Sequence, residues 1–148
     1  MTTSGKMFRC RLITPEKTLF DGDADYAVLR TIGGDMGVLA GHEPTTTVLG
    51  YGILRIFSGD DERFFAVLGG FAEMTEDGQL TIISDDAQRP DEIDLERATK
   101  TKEHNEQRIK DEMVDRVEAG KMEAQMRRAQ VRIEVSTYPI IRGRHGDS

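Results

Sequence analysis

The sequence predicts an α+β chain: an N-terminal antiparallel β-sandwich over residues 1–90, a C-terminal antiparallel two-helix hairpin over 91–137, and a flexible tail over 138–148. Three observations carry this expectation. Before Asp85, short β-branched and aromatic runs are separated by Gly/Asp turns, the pattern of strands. After Pro90 there is no Gly until Gly120 and no Pro until Pro139, so nothing interrupts a helix. Charge divides at the same seam: residues 1–91 carry 8 Lys/Arg against 15 Asp/Glu, whereas residues 92–137 carry 10 against 11. An acidic β body is thus followed by a densely charged, nearly neutral helical part, as in a solvated helix surface laced with ion pairs.

Residues 7–13 alternate, with Phe8, Cys10 and Leu12 on one face and Arg9 and Arg11 on the other, as in a half-buried strand. Thr14-Pro15-Glu16 ends it. Residues 18–20 and 24–32 read as further strands, divided by the turn composition Asp21-Gly22-Asp23. The four glycines of residues 33–44 imply a tight turn, a short strand and a loop. Later strands fall at 45–49, 52–57, 63–68, 71–75 and 80–84, with residues 58–62 and 76–79 as hairpin connections. Many closely spaced strands without intervening helices argue for an antiparallel sandwich or flattened barrel and against a parallel sheet.

A helix is expected from Glu92 to Asp111, with Pro90 just before it and acidic residues in its first turn, where they complement the helix dipole. Glu96 with Lys100 and Glu106 with Lys110 stand at the four-residue spacing of surface ion pairs. Its apolar content is thin, so it is held weakly. Asp115 followed by Glu118 has capping-box spacing and opens a second helix running to Ser136. There Met122, Met126, Ala129 and Ile133 form one apolar seam, with Val131 and Val135 beside it. Gly120 is a weak spot near its start. The tail, with Pro139, Gly143 and Gly146, is expected to fray.

The totals exclude several classes. No run approaches the roughly 18 apolar residues of a membrane-spanning helix, and residues 1–6 lack a signal-peptide core; a soluble, unexported chain is expected. Cys10 is the single cysteine, which rules out an intrachain disulfide and reads as a buried strand residue. The net charge of −7 argues against a nucleic-acid binder. His42, His104 and His145 are too scattered for a metal motif. His42 reads as a brace for its own loop. The glycines there are no phosphate cradle, because no Gly-Lys-Ser/Thr follows and no helix begins. Asp85 and Asp86 read as solvated charges, since consecutive strand or turn residues point apart.

Asp94 and Arg97 hold more information. If the hairpin turns near Met113, residue 97 falls opposite residue 129, and Arg127, Arg128 and Arg132 bracket that level. Guanidiniums converging from both helices suit a phosphate group. The alternative is a basic stripe on a solvated helix.

Residues 34–44 (GDMGVLAGHEP), 52–56 (GILRI), 69–74 (GGFAEM) and 93–98 (IDLERA), in that order, resemble the epsilon-subunit family of the rotary F-type ATP synthases. The resemblance covers residues 8–136. It implies a noncatalytic central-stalk subunit without a required cofactor, peripheral on the cytoplasmic face of the bacterial inner membrane or its organellar equivalent. The sandwich would dock on the gamma subunit and the membrane ring of c subunits. The hairpin would lie folded on the sandwich, or extend along gamma into the catalytic head of alpha and beta subunits and block ATP hydrolysis. In some family members the Ile/Leu-Asp-x-x-Arg-Ala motif binds regulatory ATP. Carried over, that role gives Asp94 a contact with base or ribose, and Arg97, with Arg127, Arg128 and Arg132, a place near phosphate. Ala40 and Thr45 depart from the family's usual Pro and Leu. Two other classes compete: a free-standing ATP-sensing module, and a small-molecule enzyme built in the sandwich.

Overall fold

The computed structural model describes residues 6–143. Residues 144–148, part of the tail expected to fray, lie outside the described residues. The alternating run at the start becomes β1 (Phe8–Ile13), followed by β2 (Thr18–Ala24), β3 (Tyr26–Thr31) and β4 (Gly34–Leu39). Two long strands, β5 (Thr45–Ser58) and β6 (Asp61–Met74), come next, then β7 (Gln79–Ile83) and the short β8 (Ala87–Gln88). The hydrogen-bonded order is β2-β1-β7-β6-β5-β3-β4. Side chains from both inner faces form one core, in which Cys10, Leu12, Leu29, Ile56, Leu80 and Ile82 are essentially inaccessible. Burial, and secondarily the charge of Asp21, push the Cys10 thiol up to about 12, so it stays protonated and inert.

Three strand expectations are corrected. Asp21-Gly22-Asp23 is not a turn but the middle of β2, because Asp21 faces the basic side of β1 and takes the Arg9 guanidinium at 2.8 Å. The chain bends at Asp25 instead. Residues 45–49 and 52–57 are one strand, as are 63–68 and 71–75, since their glycines bend the ladder without breaking it. Gly69 and Gly70 both have positive φ, and a Cβ on Gly70 would lie 2.0 Å from the Ile83 carbonyl oxygen. This bend lets β6 pair with β8 before it and β7 after it. Finally, the sheet is not wholly antiparallel: β1 and β7 pair in parallel, Cys10 beside Leu80 and Leu12 beside Ile82.

The helical half begins later than its composition suggests. Pro90–Glu92 form a single 3-10 turn, and α1 runs Leu95–Asp111 behind an Asp94 cap. The Glu92 side chain is occupied elsewhere, accepting from the Arg89 backbone N–H at 2.9 Å, and Asp94 supplies the acceptor that starts the helix. Helix α2 (Arg116–Ser136) starts at Asp115, whose carboxylate accepts from the Glu118 N–H at 2.7 Å. Lys100 reaches Glu96 at 3.4 Å, whereas among the described residues no ion pair joins Glu106 to Lys110. Arg108 instead bridges Glu112 and Glu118 across the hairpin turn. Helix α1 packs chiefly on α2, and α2 alone of the two rests substantially on β5 and β6.

The expectation of a fraying tail fails for its described part. After α2 the chain folds back, and β9 (Ile141–Gly143) pairs antiparallel with the start of β6. Residues 61–63 lack a partner on that side, and pairing satisfies their backbone groups.

Candidate functional site

The two helices and the seam enclose a cleft of about 560 Å³. Asp94, Arg97, Thr101 and His104 line it from α1; Gln125, Arg128 and Arg132 from α2; Gln88 from the sandwich. Ala98 and Ala129 form its floor, where small side chains let the helices approach. Asn105 closes the cleft toward the hairpin tip. It is 4% exposed, and its Nδ2 donates to the Met122 carbonyl at 3.2 Å and to Gln125 Oε1 at 2.8 Å. These two bonds fix the register of the helices, since a slipped pair would leave a buried amide unsatisfied.

Four of the five residues singled out in the sequence share this cleft: Asp94, Arg97, Arg128 and Arg132. Each is already engaged or exposed in a way that defines what it can do. The Asp94 carboxylate accepts from the Arg97 backbone N–H at 3.0 Å. The Arg97 side chain is exposed along the rim. Arg128 Nη1 donates to the Tyr51 hydroxyl at 3.1 Å, with its guanidinium carbon 5.6 Å from the ring centroid. Arg132 donates to Gln88 Oε1 at 3.0 Å and pairs with the Asp86 carboxylate. Arg127 is not among the residues lining the cleft; its exposed guanidinium lies over the same ring, 5.9 Å from the Tyr51 centroid.

Sequence reasoning missed the sandwich residues that meet these arginines. Asp85 is exposed, but Asp86 is an ion-pair partner and not merely a solvated charge. Tyr51 and Gln88 carry no chemical motif and are found only by contact. Asn105 had a signal: Asp94, Ala98, Thr101 and Asn105 recur at steps of three and four, one face of a helix.

Below the cleft the seam is fastened by its own charges. The Arg89 guanidinium donates to Asp91 at 3.0 and 3.2 Å and holds that carboxyl below its ordinary range. Burial pushes the Glu92 carboxyl up, but the Arg89 N–H and the Lys17 ammonium outweigh it, and the net shift is downward. Lys17 comes from the turn between β1 and β2, so Glu92 ties the start of the helical half to the sandwich. Among the described residues no cluster of His, Cys, Asp and Glu could hold a metal ion. His42 places Nδ1 2.9 Å from the adjacent Glu43 carbonyl, within its own loop.

Cationic side chains from both helices, with exposed faces on a cleft of this size, can receive an anionic group the size of a phosphate.

Two family models match the halves of the chain separately. Residues 7–90 match the beta-sandwich domain of the ATP synthase delta/epsilon chain, and residues 91–137 match its long alpha-helix domain. The chain is 39% identical to the ATP synthase epsilon chain of Shouchella clausii over 127 residues, 86% of this chain and 92% of that one. It is 44% identical over 90 residues to ATP synthase epsilon chain 2 of Nitrobacter hamburgensis, 61% of this chain and 65% of that one. Among solved structures, a chain of the Euglena gracilis mitochondrial ATP synthase OSCP/F1/c-ring assembly superposes with a TM-score of 0.75 at 25% identity, covering 93% of this chain and 89% of its own. A chain of the Tetrahymena thermophila mitochondrial ATP synthase central stalk and c-ring shares the fold, with a TM-score of 0.60 at 22% identity and coverage of 87% and 96%. With both halves matched in order over residues 7–137, the chain belongs to the epsilon-subunit family of F-type ATP synthases.

Proposed function

We propose that this chain is a noncatalytic coupling and regulatory subunit, whose sandwich rides on the rotor and whose hairpin is a movable arm that restrains ATP hydrolysis. The observation that carries the reading is how the hairpin is held. Helix α1 packs chiefly on α2. Helix α2 meets the sandwich through guanidiniums, with Arg127 and Arg128 on Tyr51 and Arg132 on Asp86 and Gln88, and through few apolar side chains, chiefly the buried Val135 near its C-terminal end. Part-exposed polar contacts of this kind each contribute about 0–1 kcal/mol, so this part of the docking is weak enough for a partner's differential binding to displace it. Extended, the arm would present Arg116, Lys121, Arg127, Arg128 and Arg132 to acidic surfaces of the alpha and beta subunits. ATP in the cleft, with Arg97, Arg128 and Arg132 near its phosphates, would favour the docked form.

The sandwich supports the rotor role through its surface. Val48, Phe71 and Ile83 are successive cross-strand partners on β5, β6 and β7, and all three are exposed. Ile32, 75% exposed, donates its N–H to the Val48 carbonyl and extends the stripe. An apolar stripe of this kind marks a protein interface, and we assign it to the gamma subunit, with the c ring adjacent; the similar Euglena chain belongs to a structure described as an OSCP/F1/c-ring assembly. The complex would thus hold the subunit on the cytoplasmic face of the membrane. Copurification from the assembled synthase tests the assignment. Gamma and c-ring subunits should follow the wild-type chain, and Phe71→Asp should lose gamma; recovery of the wild-type chain free of both would refute it and favour a free-standing ATP sensor.

A further inference from the structure

Residues 138–143 lie beyond the helical-domain match, which ends at residue 137, yet several independent contacts bind them to the sandwich. Pro139 stops α2, and the chain reverses into β9. There Ile141 pairs with Arg63, Arg142 with Glu62 and Gly143 with Asp61. The other side of this stretch of β6 pairs with β5, so β9 covers an edge that its departure would open. Just before it, Tyr138 stacks on Phe64 with ring centroids 4.5 Å apart and planes 13° from parallel. Arg142 lies over the same ring, 4.9 Å from its centroid. Phe64 is 1% exposed, and lifting this cover would wet part of its apolar surface.

Glu62 adds a charge to the same fastening. It is 3% exposed and stands between two guanidiniums, with Oε2 accepting from Arg55 Nε at 2.7 Å and Oε1 from Arg142 Nη2 at 2.9 Å. A buried carboxylate is tolerated when its charge is paired, and removing one partner is costly. Peeling β9 away therefore opens strand edge, phenyl ring and carboxylate together, which makes release cooperative.

We propose that residues 138–143 are a latch: β9, Tyr138 and Arg142 hold the hairpin down, and the hairpin leaves the sandwich only after β9 peels from β6. The antiparallel helices bring both hairpin ends to the same level. The base is consequently fastened twice, covalently at the seam before Asp94 and noncovalently at Tyr138–Gly143. A body fastened at two points cannot swing about either, so the latch sets the fraction of open arms. This inference rests on the reading of the hairpin as a movable arm.

The test uses the full chain with spin labels at Met113→Cys, on the fully exposed hairpin tip, and Glu76→Cys, on an exposed turn of the sandwich. Cys10 is buried and stays unlabelled. Pulsed dipolar spectroscopy should give mainly one short tip-to-sandwich distance for the parent. Arg142→Ala, alone and with Tyr138→Ala, should raise a longer-distance population about 10-fold or more. Arg142→Ala leaves every core side chain in place, so it reads the latch even if the double variant fails to fold. An unchanged distance distribution in folded Arg142→Ala overturns the latch. Deleting residues 91–148 from the assembled synthase separates the two ideas: distances that shift while hydrolysis ignores the deletion keep the latch and defeat the inhibitory reading, whereas hydrolysis that responds while distances stay fixed does the reverse.

Discussion

The Asp94 carboxylate accepts a hydrogen bond from the Arg97 backbone N–H at 3.0 Å, so the two charged positions of the helix-start motif are joined by capping geometry. Asp94 therefore has a structural task independent of any ligand, while the exposed Arg97 side chain is available to one. Asp94→Ala should destabilise the hairpin by about 1 kcal/mol, and Asp94→Asn, an equally good cap, should restore most of it. Arg97→Ala should leave helix content unchanged in circular dichroism yet abolish the heat of ATP titration. Equal loss of helix stability in both variants would remove Arg97 from the ligand role.

Arg132 ties α2 to the sandwich through Asp86 and Gln88. Arg132→Ala should weaken docking by about 0.5–1 kcal/mol, because the pair is part-exposed. Amide exchange in α2 should accelerate in the variant, and raised salt should reproduce part of the effect in the parent. Exchange insensitive to both changes would show that apolar contacts alone hold α2 down.

Glu92 gives the seam a pH dependence of known sign. Its folded carboxyl is held below the ordinary 4.5 by the Arg89 N–H and Lys17, which outweigh burial. A lowered carboxyl contributes stability that is present above the unfolded value and lost as pH falls through the folded one. Thermal melts from about pH 6 to about pH 3 should thus show a larger acid loss in the parent than in Glu92→Gln. Parallel curves would exclude Glu92 as the source.

Two glycines should respond to alanine with opposite signs. Gly70 has φ +112° and a Cβ there would press within 2.0 Å of the Ile83 oxygen, so Gly70→Ala should cost more than about 2 kcal/mol. Gly120 lies in α2 with nothing within 4 Å of an added Cβ, and Gly120→Ala should stabilise by about 0.5–1 kcal/mol. Denaturant titration of both variants distinguishes a required bend from a removable weak spot.

Much of this architecture was legible because periodicity is local. The alternation through Phe8, Cys10 and Leu12 and the uninterrupted run after Pro90 are enough to place β1 and the hairpin. The mirror point at Met113 sets Arg97 opposite residue 129, among Arg127, Arg128 and Arg132; Arg97, Arg128 and Arg132 line one cleft, and Arg127 does not. What failed was nonlocal. Gly69 and Gly70 read as a break because composition cannot distinguish a bend inside a ladder from a turn. Asp86 and Tyr51 were missed as partners because nothing in a strand's sequence says which helix will cross it. In residues 138–143, Pro139 and Gly143 have the composition of a tail, while Tyr138, Ile140 and Ile141 carry an apolar signal that points to a docked segment.

The proposed regulatory role of the hairpin is tested most directly by the ATP hydrolysis rate of the assembled synthase with the intact chain and with residues 91–148 deleted, across ATP concentrations. Deletion should raise hydrolysis, most strongly at low ATP, where the proposed ATP-stabilised docking would be absent. Equal rates at every nucleotide concentration would contradict the arm's inhibitory role and leave the sandwich as a coupling element alone.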